Sequence, residues 1–150
     1  MNERHKNAHM RVAHVYAALS YAQRRKVGCV IVKDETIIAI GYNGTPPGWN
    51  NRCETPDGSA TLPEVIHAEQ NALDKLVRSS TSSIDSDVFV TTAPCIECAK
   101  RLLGARIKSV YYADVYSSTQ GLDLLKKAGI YTERIENAER NLSDTDHQCN

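Results

Sequence analysis

Residues 87–105, DVFVTTAPCIECAKRLLGA, contain the transition that decides the fold. The first part, DVFVTT, is a short apolar run rich in β-branched residues, which is typical of a buried strand. Pro94 follows it, and proline suits the first turn of a helix because its missing N–H would be unsatisfied there in any case. The second part, CIECAKRLLGA, predicts a helix that ends near Gly104. The stretch is therefore a predicted strand that leads directly into a helix.

The same alternation continues towards the carboxyl terminus. IKSVYYA and IYTERI are predicted strands, and GLDLLKKAG between them is a predicted helix. Strands that alternate with helices pair in parallel through right-handed crossovers. Before them, VGCVIVKDETIIAIGYNG at residues 27–44 predicts a hairpin. We expect an α/β fold with three layers, α/β/α, and a mixed five-stranded sheet in which the hairpin precedes a parallel βαβαβ unit.

Apolar spacing predicts two more helices. The first covers about residues 8–22 and the second about 66–78. The apolar stripe of the first consists of Val12, Val15, Tyr16 and Leu19; the second contains Ile66, Leu73, Leu76 and Val77. Residues 43–63 between the hairpin and the second helix show no regular period, and a loop of that length is usually functional or disordered.

Length, composition and charge restrict the class of protein. With 150 residues, 41% hydrophobic and 24% charged, the chain is expected to be one globular domain, residues 1–150, with a polar tail from about 137. A formal net charge of +0 argues against binding of long nucleic acid. No apolar run approaches the roughly 20 residues of a membrane span, and MNERHKNAHM lacks the apolar core of a signal peptide, so we expect a cytoplasmic protein. Five cysteines argue against a disulfide framework.

Cys95 and Cys98 have the spacing of metal ligands. Three residues apart at a helix start, they lie on one face, and the electropositive N-terminus favours the thiolates that zinc needs. A buried pair or a redox CxxC pair is the alternative interpretation. His67, in EVIHAEQNAL at residues 64–73, also stands at a predicted helix start, where a helix cap or a packed side chain would be the alternative.

Together these residues predict a catalytic metal site. His67, Cys95 and Cys98 would provide three protein ligands and leave one position open, which is the catalytic arrangement of zinc; structural sites have four protein ligands. Glu69 follows His67 by two residues, about 200° around a helix, so it does not share the ligand face and is free to transfer protons. The HxE and PCxxC segments resemble the signature of zinc-dependent nucleobase deaminases.

The resemblance extends beyond the zinc motif. RRKVGCVIVKDETIIAIGYNGTPPG, HAEQNAL, TTAPCIECAK and YYADVY…GLDLLKKAGI are similar to deoxycytidylate deaminases over most of residues 20–130. That resemblance implies the cytidine-deaminase-like fold and hydrolysis of dCMP to dUMP and ammonia, which would supply thymidylate synthesis. The zinc motif alone would also fit deaminases of adenosine, guanine or riboflavin precursors. A dCTP deaminase and a non-catalytic zinc-binding module are further alternatives.

The family resemblance also implies roles for residues around the motif. Asn43 would bind the deoxyribose, Arg24 the phosphate, and Tyr116 the base or phosphate, with Ala68 also in the substrate site. Arg25 and Lys26 would add basic charge for a phosphate or effector, although solvated loop charges would explain them equally well. Tyr116 could instead be a core or edge tyrosine. Gly44 belongs to the GYNG loop, which the resemblance implicates in sensing effectors.

The resemblance further implies a homohexamer that dCTP activates and dTTP inhibits, each bound with Mg²⁺. Some relatives hold a second, structural zinc with a cysteine at the position of Ala22. Here Cys53 lacks that partner, so we expect one zinc per chain. Trp49, the single tryptophan, could pack at a subunit interface or near an effector, or simply lie on the surface.

Overall fold

A tight hairpin begins the sheet. The computed structural model describes residues 1–136 and residue 138. In this hairpin, Asp34 and Glu35 join the two β-branched runs. Their φ angles of 49° and 61° are those of a two-residue turn whose backbone twist matches the twist of the paired strands. The elements in chain order are α1 (Glu3–Ala17), β1 (Gly28–Lys33), β2 (Thr36–Tyr42), α2 (Ala68–Val77), β3 (Asp87–Thr92), α3 (Ile96–Gly104), β4 (Ser109–Asp114), α4 (Gln120–Lys127) and β5 (Tyr131–Arg134).

The five strands form one mixed sheet in the order β2-β1-β3-β4-β5. Strand β1 is antiparallel to both β2 and β3, whereas β3, β4 and β5 are mutually parallel. The predicted parallel arrangement of the last three strands is thus confirmed. Because β2 and β3 both oppose β1, strands β2, β3 and β4 all end at the same edge of the sheet. The segments that follow these strands therefore meet there, at the carboxyl edge.

Helices cover both faces of the sheet, which confirms the predicted three layers. On one face, Met10 and Ala13 of α1 pack against Val30, Phe89 and Tyr111. On the opposite face, a larger cluster joins the sheet to α2, α3 and α4. It contains Cys29, Ile31, Val88, Val90, Val110, Ala68, Ala72, Leu76, Ala99, Leu102 and Leu125. The predicted α/β/α fold is correct.

The first helix differs from the prediction. It begins at Glu3 and ends at Ala17, and Val15 and Leu19 of the predicted apolar stripe are 65% and 52% exposed. Met10, Ala13 and Ala17 are buried in their place, and at the two alanines α1 lies almost against the backbone of the sheet. A Cβ at Gly28 would lie 1.9 Å from the carbonyl oxygen of Ala13. A large side chain at position 13 or 17 would prevent such an approach, so a stripe of large apolar residues is a misleading signal here.

The long loop at residues 43–63 is more ordered than its lack of a hydrophobic period would suggest. Residues 53–62 form a short hairpin, here called the flap, in which the N–H of Leu62 donates to the carbonyl of Cys53 over 2.8 Å. At its tip, the carboxylate of Asp57 accepts hydrogen bonds from Thr55 and Ser59. These bonds lower the pKa of Asp57 to about 2, with Thr55 as the main cause. Local hydrogen bonds thus replace a hydrophobic period as the source of order.

The carboxyl-terminal segment is described only in part. The expectations of a single domain over residues 1–150 and of a polar tail from about 137 stay predictions, because nearly all of that tail lies outside the described residues. Ala138, which is described, is buried in the α1 cluster. Among the described residues, no helix is both long and apolar enough to cross a membrane.

Close packing at Gly41 provides a test of how α2 is positioned. A Cβ there would lie 2.4 Å from the carbonyl oxygen of Ala68 and 2.6 Å from the nitrogen of Ala72. Gly41→Ala should therefore push α2 away from β2 and destabilise the fold by about 1–3 kcal/mol. Thermal unfolding should show a melting temperature lower by roughly 2–4 °C per kcal/mol. Gly104→Ala is the control, because an added Cβ there meets no atom within 4 Å; equal losses in both variants would contradict the assignment.

Candidate active site

The carboxyl edge of the sheet contains a cavity of about 310 Å³. This is within the lower range of small-molecule sites. The residues predicted for the site that line it are Arg24, Arg25, Asn43, His67, Ala68, Glu69, Cys95 and Tyr116. Lys26 is exposed and does not line it, and Gly44 lines a neighbouring cavity. The fold thus brings together most of the predicted residues, although they are spread over more than 90 positions of the chain, from 24 to 116.

Two helix N-termini meet at the base of this cavity. His67 is the N-cap of α2 and Cys95 is the N-cap of α3, each with an extended backbone, and Cys98 lies in the first turn of α3. The Nδ1 atom of His67 is 3.6 Å from the Sγ of Cys95 and 3.4 Å from the Sγ of Cys98. The three ligand atoms all lie within 4.8 Å of one another. This is the one group of three or more metal-ligating side chains found in the described part of the chain.

The geometry of this triad fits zinc. Zinc binds sulfur at about 2.3 Å and histidine nitrogen at about 2.0–2.1 Å with tetrahedral angles, so ligand nitrogen and sulfur atoms should be about 3.6 Å apart. The observed separations of 3.4 and 3.6 Å agree with that value. Soft sulfur ligands combined with one imidazole are also the donor set that favours zinc over magnesium or calcium.

Hydrogen bonds within the triad favour a thiolate. Hydrogen bonds from Cys98 and His67 lower the pKa of Cys95 to about 3. The hydrogen bond with Cys95 raises the pKa of Cys98, and burial adds to that rise. Cys95 also raises the pKa of His67. An anion at Cys95 is also favoured by its place at a helix N-terminus, where the N–H of Cys98 donates to its sulfur over 3.5 Å.

Glu69 lines the same cavity from the first turn of α2. It is 4% exposed, and burial raises the pKa of its carboxyl group, while the nearby His67 opposes that rise. A buried carboxyl with a raised pKa can both take up and release a proton near neutral pH. Its position off the ligand group agrees with the two-residue spacing from His67.

Close backbone packing positions both helix starts. Gly41 allows α2 to lie against β2, and Gly121 allows α4 to lie against the start of α3. A Cβ at Gly121 would be 2.0 Å from the carbonyl oxygen of Pro94 and 2.8 Å from that of Cys95. Any larger residue at these places would displace a helix that provides a triad residue or supports one. The glycines in GYNG and GLDLL thus have a packing role that their sequence context did not reveal.

Asn43 holds the loop that precedes β1. Its Oδ1 accepts a hydrogen bond from the N–H of Val27, and its Nδ2 donates to the carbonyl of Arg25, both over 2.8 Å. One amide hydrogen of Nδ2 remains for another acceptor, because a primary amide has two. The expected contact of Asn43 with a sugar is therefore compatible with its structural role.

The two arginines have different neighbours. Arg25 donates from Nε to the hydroxyl of Thr92 over 3.0 Å, its guanidinium lies 4.8 Å from the ring centroid of Tyr116, and Asp114 is 3.6 Å away. Arg24 reaches across to the flap, where its Nη1 is 3.4 Å from the hydroxyl of Thr61. A cation held by a ring, a hydroxyl and a carboxylate is oriented before an anion arrives.

Several residues that line the cavity were not predicted. Glu54 and Thr61 belong to the flap, where the sequence shows no period that would place them in the site. Thr92 ends β3, and Ser118 and Gln120 mark the start of α4. The ends of parallel strands and the helix starts after them are where ligands bind in open α/β sheets, so this second group had a recognisable signal.

A second cavity of about 290 Å³ lies beside the GYNG loop. Gly44, Trp49, Tyr21 and Lys75 are among the residues that line it. Trp49 is 59% exposed and Tyr21 is 66% exposed. Asn43 lines both cavities, so the loop that bounds the site also bounds this second surface.

Comparison with known proteins gives a consistent family. Residues 3–114 match the family described as the cytidine and deoxycytidylate deaminase zinc-binding region. The structure of a dCMP deaminase from the cyanophage S-TIM5, in complex with dCMP and dUMP, is similar with a TM-score of 0.87 and 43% identity. That similarity covers 90% of this chain and 99% of the phage chain.

Curated proteins with similar sequences support the same family. ComE operon protein 2 of Bacillus subtilis is 33% identical over 132 residues, which cover 85% of this chain and 69% of the relative. A probable deoxycytidylate deaminase of Caenorhabditis elegans is 38% identical over 113 residues, covering 70% of this chain. The chain spans only 55% of the length of that second relative. With most of its length matched, the chain belongs to the cytidine and deoxycytidylate deaminase zinc-binding family.

Proposed function

We propose that this protein is a zinc-dependent hydrolytic deaminase that converts dCMP to dUMP and ammonia. The observation that supports it most is a single cavity with the His67–Cys95–Cys98 triad and buried Glu69 at its base and an oriented Arg25 in its wall. The first group suits hydrolysis of an amidine, and the second suits a phosphate. The phage relative whose structure contains dCMP and dUMP has 43% identity, which supports the same substrate here.

His67, Cys95 and Cys98 would hold one zinc ion per chain. When bound, zinc lowers the pKa of a water molecule and so provides a hydroxide nucleophile near neutral pH. The chain's own contribution begins with Glu69, which takes up the proton of the attacking water and delivers it to the ring nitrogen beside the reacting carbon. Glu69 then takes up the second proton of that water, from the hydroxyl group on the attacked carbon, and transfers it to the amino group. The C–N bond breaks, the carbonyl forms and ammonia leaves. Burial of Glu69 suits these steps because it keeps bulk water from exchanging the proton.

The phosphate would bind at the end of the cavity formed by Arg24, Arg25 and Tyr116. Arg25 is already oriented by Thr92 and Tyr116, so little side-chain entropy is lost when it binds an oxyanion. Ser117 and Ser118, which follow Tyr116 in the chain, also line the cavity. Asn43 and Ala68, which line the same cavity, would contact the sugar and base.

Regulation and assembly belong to the same proposal. The cavity beside Gly44 and Trp49 is a candidate site for dCTP or dTTP with Mg²⁺, and Lys75 is the lysine that lines it. Because Asn43 lines both cavities, an effector beside the GYNG loop could act on the substrate site through it. We further propose a cytoplasmic homohexamer that supplies dUMP for thymidylate synthesis.

A substrate panel tests the function. Zinc-replete protein should release ammonia from dCMP faster than from cytidine, dCTP, adenosine or guanine, with and without added dCTP and Mg²⁺. Arg25 favours a substrate that carries a phosphate, and a cavity of about 310 Å³ leaves limited room for a larger compound. Turnover of adenosine or guanine but not dCMP would contradict the assignment, and no turnover of any compound would favour a zinc-binding module without catalysis.

Glu69→Gln separates proton transfer from metal binding. The variant should retain one zinc per chain, measured by elemental analysis, but lose about 10²- to 10⁴-fold in kcat, the range typical of a general acid–base group. Cys98→Ser is expected to lose both zinc and activity. Cys53→Ser is the matched control, because this buried cysteine lies outside the triad and should keep both. Loss of zinc from Glu69→Gln would instead make Glu69 a ligand.

Arg25→Ala should weaken phosphate recognition selectively. We expect kcat/KM for dCMP to fall by about 10- to 100-fold, as for loss of a hydrogen bond to a charged group, with little change for deoxycytidine, which has no phosphate. Steady-state kinetics on both substrates measure the difference. Arg78→Ala, at the opposite end of α2, should leave both unchanged. An equal loss on both substrates would show that Arg25 supports the fold of the site and does not bind phosphate.

A further inference from the structure

Glu54 is a buried carboxylate in the wall of the site cavity. It is 6% exposed and faces Thr61 across the flap. Its Oε1 accepts hydrogen bonds from the backbone N–H groups of Gln23 and Arg24, over 2.8 and 3.1 Å. Among the described residues, no hydrogen bond is found to its second oxygen, Oε2. Oε2 is not among the buried polar atoms that lack a partner, so it is open to the cavity that Glu54 lines. A donor group that enters the cavity can therefore take the place of water on this oxygen.

Glu54 and Asn43 hold the same loop from two sides. Glu54 binds the backbone at Gln23 and Arg24, and Asn43 binds it at Arg25 and Val27. After these contacts, Glu54 retains an acceptor and Asn43 retains one N–H donor. A hydroxyl group both donates and accepts one hydrogen bond. The two residues therefore offer the complementary pair that a single sugar hydroxyl requires.

The charge of Glu54 identifies which part of a nucleotide it meets. A carboxylate repels a phosphate, so the phosphate belongs with Arg25 and Tyr116. The base belongs with Glu69 and the triad, where amidine chemistry takes place. This leaves the sugar for Glu54. A deoxyribose that has a phosphate on its 5′ oxygen has one free hydroxyl, at the 3′ carbon.

We propose that Glu54 is a substrate-binding residue that accepts a hydrogen bond from the 3′-hydroxyl of the deoxyribose. Its charge restricts the site to nucleotides whose 3′-hydroxyl is free. A cytosine inside a DNA strand has a 3′ phosphodiester, which lacks the donor and adds a negative charge beside the carboxylate. Glu54 thus selects monomeric nucleotides. The inference rests on the proposed deaminase function and adds the residue that recognises the sugar.

The experiment compares two substrates in two proteins. Glu54→Gln keeps an amide oxygen that can accept from Gln23 and Arg24 but replaces the free acceptor with a donor. The substrates are dCMP and 2′,3′-dideoxycytidine 5′-monophosphate. The wild type should prefer dCMP by about 10- to 100-fold in kcat/KM, as expected for one hydrogen bond to a charged group. In Glu54→Gln that preference should fall to what the contact with Asn43 alone provides, with the dideoxy rate unchanged. Glu64→Gln is the matched control, since Glu64 follows the flap but does not line the cavity.

Three results would overturn the proposal. They are equal rates on both substrates in the wild type, an unchanged preference in Glu54→Gln, and an equal loss on both substrates, which would mean that Glu54 acts only through the loop. If Glu54→Gln does not fold, the wild type with deoxycytidine 3′,5′-bisphosphate decides: rejection supports the proposal and turnover at the dCMP rate contradicts it. Absence of wild-type activity on dCMP would instead count against the proposed substrate. If dCTP is the nucleotide that reacts, its dideoxy analogue gives the same ratio.

Discussion

The structure depends on the meeting of two helix N-termini at one edge of the sheet. His67 and Cys95 cap α2 and α3 at the carboxyl edge, and the backbones of both helices are held there by contacts that allow no side chain. The positive ends of the helices favour the negative charge that a thiolate ligand brings. Hydrogen bonds from Cys98 and His67 lower the pKa of Cys95, so its neighbours at this junction also favour the anion. The fold itself therefore brings the three triad residues together at this edge of the sheet.

The charged side chains of the cavity are each held in place by burial or by a specific partner. Glu69 and Glu54 are both carboxylates with little exposure, but Glu69 lies among the triad and Glu54 is fixed by backbone N–H groups. Arg25 is oriented by an aromatic ring and a hydroxyl. Groups of opposite sign are thus kept at different places in one cavity, where a flexible site would let them neutralise one another. Preorganised polar groups of this kind lose little entropy when a ligand binds.

The regular part of the fold and the metal site could be predicted from the sequence because both follow short-range rules. The order of strands after DVFVTT follows from alternation, and the triad follows from two motifs that each begin a helix. The buried face of α1 was predicted wrongly because it is set by the close approach of the helix to Gly28, in the strand that follows, and not by the apolar stripe. Glu54 could not be predicted for the same reason. Its place depends on a hairpin made by hydrogen bonds of Asp57 and on a loop 30 residues earlier.

The flap shows how the substrate specificity of such a protein can change during evolution. Its internal hydrogen bonds run from Cys53 to Leu62 and around Asp57, and Glu54 and Thr61 join it to the loop before β1. The triad is held separately, by the sheet and by glycines elsewhere. A descendant could lengthen or replace the ten residues of this hairpin without moving a metal ligand. Selectivity and chemistry are thus inherited on separable segments, so new specificities can arise by insertion in one loop while the catalytic edge remains intact.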